Sequence, residues 1–73
     1  MSLSALLEES FEIAWYYLEA TGEIGNGAVA SRFLADTIER MIRSGLRSRL
    51  VLSNKAIDAY KRFASEQKLS MVS

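Results

Sequence analysis

The chain has 73 residues, 49% of them hydrophobic, with no Cys, no His, no Pro and a formal net charge of zero. That length allows one small domain, 1–73, with a marginal core, and the hydrophobic fraction is too high for a disordered tail. Disulfide staples, the usual zinc sites and any His- or Cys-based nucleophilic chemistry are excluded, which leaves tight helix packing or self-association as the source of stability.

The first helix is expected over about 3–20. At ~100° per residue, Leu3, Leu6, Leu7, Phe11, Ile13, Ala14, Trp15, Tyr17 and Leu18 form one continuous arc, broken only by Ser10. The arc spans roughly 200°, against the ~100° or slightly more of a helix buried on one side. Glu8, Glu9, Glu12 and Glu19 occupy the rest of the surface. Such a helix needs cover on two sides, and one short neighbour supplies only one. Trp15, Tyr16 and Tyr17 cannot all enter one core: Tyr17 is expected inward, Trp15 at the edge of the arc and Tyr16 toward the glutamates.

The stretch from Thr21 to Gly27, TGEIGNG, reads as a turn. Gly22 suits the left-handed conformation that follows a last helical turn, and Asn26 suits an N-cap. It lacks the preceding strand and the Lys-Ser/Thr pair of nucleotide-binding loops. So short a connection makes the first two helices antiparallel neighbours.

The second helix is expected over about 28–44, stopping at Gly45. Phe33, Leu34, Ile38, Met41 and Ile42 form its apolar face, with the small Ala30 and Ala35. Asp36 with Arg40 and Glu39 with Arg43 are acid-first i,i+4 pairs.

Leu46 to Leu52, LRSRLVL, alternates basic and apolar residues before turning fully apolar. It is expected to be an extended connector that packs Leu50 and Leu52 on the core; a short strand or a continuation of the second helix are the alternatives. Ser53 would then cap a third, shorter helix over about 54–68, with 69–73 frayed.

Charge is split along the chain. Before Arg40 stand seven carboxylates and only Arg32; from Arg40 onward stand eight cations against Asp58 and Glu66. A polarised chain can fold its halves together, pair with a copy of itself, or offer its basic half to an anionic partner. On the last reading Arg43, Arg47, Arg49, Lys55 and Arg62 are the candidate phosphate contacts, with Lys61 and Lys68 nearby. The turn between helices two and three is too long for a helix-turn-helix, and no second helix follows to complete a ribbon-helix-helix unit. The milder reading has cations complementing the end of the second helix and solvating a surface.

The sequence therefore points to an all-α protein: an antiparallel helical hairpin with a third, shorter helix folded across it, expected to assemble as a dimeric helical bundle. Its expected role is that of a small cytosolic interaction, adaptor or regulatory protein that is not an enzyme. Leu3, Leu7, Phe11, Trp15, Tyr16, Tyr17 and Leu18 are the expected protein interface, toward a second copy or a second protein. A nucleic-acid-binding regulator is the alternative. No cofactor, metal or membrane partner is expected, since the polar face of the first helix is acidic.

Overall fold

The computed structural model describes residues 2–72, with side chains described through Gln67. It contains α1 (Leu3–Ala20), α2 (Gly27–Arg43) and α3 (Arg49–Val72), and no strand among the described residues. The all-α class and the bounds of the first two helices agree with the sequence reading.

The helix ends follow from local chemistry. Ser2 caps α1, its Oγ accepting the Ala5 N–H at 3.1 Å. Asn26 caps α2, its Oδ1 accepting the N–H groups of Ala28 and Val29 at 3.0 and 3.2 Å. Both α1 and α2 close with the same pair of backbone bonds across a left-handed glycine. After α1, Glu23 N–H donates to Leu18 O and Gly22 N–H to Glu19 O, with Gly22 at φ 71°. After α2, Leu46 N–H donates to Met41 O and Gly45 N–H to Ile42 O, with Gly45 at φ 113°. Leu46 is thereby turned back onto the core, the apolar contact that commonly accompanies this stop.

The third helix departs from expectation. It begins at Arg49 and, at 24 residues, is the longest of the three. The segment 49–52 is its first turn, not a connector. Ser48 Oγ accepts the Val51 N–H at 3.3 Å, and Ser48 O accepts the Leu52 N–H at 2.9 Å. Ser53 is no cap: it is buried, and its hydroxyl donates to Leu50 O at 3.0 Å. The cause is periodicity. Leu52, Ala56, Ile57 and Tyr60 form one helical face only if the helix already includes Leu52. The backbone of α3 continues through Val72, so the frayed end expected over 69–73 is not seen up to that point; Ser73 lies outside the described residues.

The helices form an up-down-up bundle in which each packs on the other two. Leu3 of α1 lies beside Ile42 and Arg43 of α2, and the Trp15 ring approaches Gly27, so α1 and α2 are antiparallel. Arg49 meets Glu9 and Lys61 meets Tyr17, so α3 runs alongside α1 in the same direction. It lies along the hairpin, not across it.

The core is a seam of Leu6, Ser10, Ala14 and Leu18 from α1, facing Leu34, Ile38 and Ile42 from α2 and Leu52, Ala56 and Tyr60 from α3. Ser10, which interrupts the apolar arc in sequence, is fully buried on its midline. Its hydroxyl donates to Leu6 O at 2.7 Å, so the polar atom needs no outside partner. Its small side chain, with Ala14, Ala30 and Ala56, lets the helices approach closely. Phe33 joins α2 to α3 through ring contacts with Tyr60 and Phe63, centroids 5.6 and 4.8 Å apart. The second side of the α1 arc packs against α3 of the same chain.

Candidate protein-interaction surface

Closing the bundle does not consume the whole arc. Leu3 remains 53% exposed, and Leu7, Phe11 and Trp15 are half-buried at i, i+4 spacing along the α2 side of α1. Phe11 and Trp15 stack, with centroids 5.7 Å apart and planes 15° from parallel. This contact aligns their faces as one wall.

The opposite wall belongs to α2. One recess brings Leu3 and Leu7 against Ile42, with Glu39 and Arg43 at its rim. The next brings Leu7 and Phe11 against Ser31 and Ala35, with Glu8 and Glu12 at its rim. Leu7 belongs to both, so they form one continuous, shallow, apolar groove along the hairpin. The α2 wall was not recognised in the sequence. Its signal is Ala28, Ser31 and Ala35 on one face of α2, small residues that show a groove only once α1 is placed beside them.

The seven residues expected at the interface therefore separate. Leu3, Leu7, Phe11 and Trp15 line or border the groove. Tyr16 points away from the bundle, 74% exposed, within the glutamate stripe. Leu18 is wholly buried in the chain's own core and offers no surface. Tyr17, expected inward, is 41% exposed on the side facing α3. There its hydroxyl receives a hydrogen bond from Lys61 Nζ at 3.4 Å, and the ammonium stands 5.1 Å from the ring centroid. Which residue of an apolar arc becomes innermost depends on where the neighbouring helices cross it, and the wheel alone does not contain that.

Lys61 also faces Glu23 at 3.6 Å, at the cleft between the α1–α2 turn and α3. The hydrogen bond to the Tyr17 hydroxyl raises the Lys61 pKa above its ordinary 10.5; desolvation opposes the rise, and the Glu23 carboxylate adds to it. In the same cleft the Tyr60 hydroxyl donates to the Ile24 carbonyl, tying the turn to α3. These side chains brace the turn.

The basic residues are dispersed. Arg43 pairs with Glu39 at 2.6 Å, Arg47 donates to the Ile42 and Leu46 carbonyls at the end of α2, and Arg49 pairs with Glu9 of α1. Lys55 and Arg62 are exposed farther along α3. Arg49 and Arg62 are thirteen residues apart, about 20 Å of helix. Of the two i,i+4 pairs expected on α2, Glu39 with Arg43 forms, whereas Asp36 and Arg40 form no ion pair among the described residues. Among the described residues no helix is long and apolar enough to cross a membrane, and no cluster of three potential metal ligands occurs. No protein-family model matches this chain, and no curated protein or solved structure matches it either.

Proposed function

We propose that the chain is a small cytosolic protein–protein interaction protein, an adaptor or regulatory subunit, that self-associates through its N-terminal helix. The observation that carries this reading is the groove. After α2 and α3 have covered the core seam, a stripe from Leu3 through Leu7 and Phe11 to Trp15 still meets water in part, bordered by charged residues. An apolar floor with aromatic side chains and a charged rim is the usual anatomy of an interface centre. A nucleic-acid role draws less support, because three of the five candidate phosphate contacts already engage groups within the chain.

The test is mass in solution, by size exclusion with light scattering, from about 1 μM to about 1 mM. Wild type should reach a twofold mass within that range. Leu3→Glu, at a site half outside the fold, should weaken association by roughly tenfold or more while leaving helicity intact. A wild-type monomer throughout the range would sink the self-association reading.

A further inference from the structure

We propose that the groove is closed by the same groove of a second copy, with α1 of each protomer seated on α2 of the other. This rests on the self-association reading above and adds which helix meets which.

The two walls differ in size and charge. The α1 wall is bulky: Leu7, Phe11 and Trp15. Opposite Phe11 the α2 wall is small, with Ser31 and Ala35 half-buried and Ala28 exposed, whereas opposite Leu3 it is formed by Ile42, Glu39 and Arg43. Every charged residue of α1 is a glutamate, whereas α2 carries Arg32, Arg40 and Arg43 beside Asp36 and Glu39. The charged residues that line the groove are Glu8 and Glu12 on α1 and the paired Glu39 and Arg43 on α2, and Arg32 and Asp36 are exposed one position beyond Ser31 and Ala35.

Two twofold arrangements can lay such faces together. An axis across the helices puts α1 on α1. Phe11 and Trp15 then meet bulky copies of themselves, and the Glu8 and Glu12 rim meets an identical rim, which like-charge repulsion disfavours. An axis along the helices puts α1 over α2 of the partner. Phe11 and Trp15 then face small residues of the partner's α2, and each residue keeps its height along the bundle. Phe11 and Glu12 already share a level with Ser31 and Ala35 inside one protomer. The same level across the axis brings Arg32 of the partner subunit beside Glu8 and Glu12. Arg32, Glu8 and Glu12 are exposed and form no ion pair among the described residues, so the pairing breaks nothing inside the chain. Steric and charge complementarity select the same arrangement.

A charge-exchange experiment tests it. Glu12→Arg and Arg32→Glu are made separately, and their association is measured alone and as an equimolar mixture at about 50 mM salt, where screening is weak. Each variant alone places like charges at both symmetric contacts and should dissociate about tenfold more readily than wild type. The mixture restores opposite charges at both contacts, so a heterodimer of wild-type affinity, identified by native mass spectrometry, is expected. Both sites are exposed, and helical circular dichroism with an unchanged melt verifies that the fold is kept. If Arg32→Glu self-associates like wild type while Glu12→Arg prefers wild type as its partner, α1 meets α1 and the proposal is overturned, with self-association intact. Weakening of both variants without rescue in the mixture overturns it as well. A monomeric wild type removes this inference together with the reading beneath it.

Discussion

Leu50 and Leu52 lie two residues apart, and the structure gives them opposite environments: Leu50 is 63% exposed, and Leu52 is fully buried. An extended segment would put both side chains on one face, whereas a helix turns them ~200° apart. Truncating each to alanine therefore measures the conformation of this segment. At Leu52 the loss combines the transfer free energy of the side chain with an unfilled cavity among well-packed neighbours, roughly 3–5 kcal/mol. At Leu50 only about a third of the side chain is covered, and alanine is the better helix former, so the cost is about 0.5 kcal/mol or less. A domain of this length holds roughly 4–11 kcal/mol in all. Leu52→Ala should therefore remove much of the stability and Leu50→Ala little. Urea unfolding followed by helical circular dichroism, at one low protein concentration, reads the difference. With a slope of about 1 kcal/mol per molar urea, the two midpoints should differ by at least about 2 M. Equal losses at the two positions would refute a helix beginning at Arg49.

The cap of α3 gives a companion result: Ser48→Ala should cost about 1 kcal/mol, whereas Ser53→Ala, whose hydroxyl only bonds back to a carbonyl of its own helix, should be close to neutral in the same urea assay. Thr37 is buried, and its Oγ1 has no hydrogen-bond partner among the described residues. Thr37→Val should therefore raise stability by about 1 kcal/mol, and a fall in the melting temperature would count against that account. Gly45→Ala should cost at least about 1 kcal/mol although nothing crowds the new methyl, because the backbone there is at φ 113°; an unchanged melt would contradict the strain. The Lys61 pKa is raised in the fold, so its contribution is complete below the ordinary value of 10.5 and disappears as the pH rises through the higher folded value. Tyr17→Phe removes the largest cause of that rise; its alkaline loss of stability should start at the same pH as in wild type but be smaller and end at a lower pH, and coincident alkaline limbs would show that the contact is idle.

The first two helices were legible because their signals reinforce one another. Ser2 and Asn26 cap, Gly22 and Gly45 stop, and apolar residues recur at helical spacing between them. The third helix was misread at its start because two short signals compete there. The basic–apolar alternation from Leu46 suggests a period of two, and Ser53 resembles a cap in sequence as much as Ser48 does. Tertiary packing decides the matter: Leu52 joins the core only as part of the helical face continued by Ala56 and Tyr60. For the surface, the bulky α1 wall was visible as the far part of a wide arc. The α2 wall was not, because Ala28, Ser31 and Ala35 acquire meaning only from the large residues beside them. Leu18 and Tyr17 exchanged roles for a related reason, since a wide arc records how much of a helix is covered but not by which neighbour.

The charge split is partly spent inside the fold. Arg49 and Lys61, from the basic half, reach Glu9 and Glu23 of the acidic half and help align α3 with α1. These contacts are solvent-exposed, and such pairs contribute about 0–1 kcal/mol each, so the apolar seam and not the charge holds the bundle. Exposed charge nevertheless discriminates among arrangements of similar apolar burial, because a wrong orientation places like charges together. Glu8 and Glu12 remain exposed at the rim of the groove between α1 and α2, and Arg32 is exposed on α2 next to Ser31 of its wall. If the chain self-associates as proposed, reversing a rim charge should change which copy is accepted and in which orientation, whereas truncating Leu3 or Phe11 should weaken the binding of any copy.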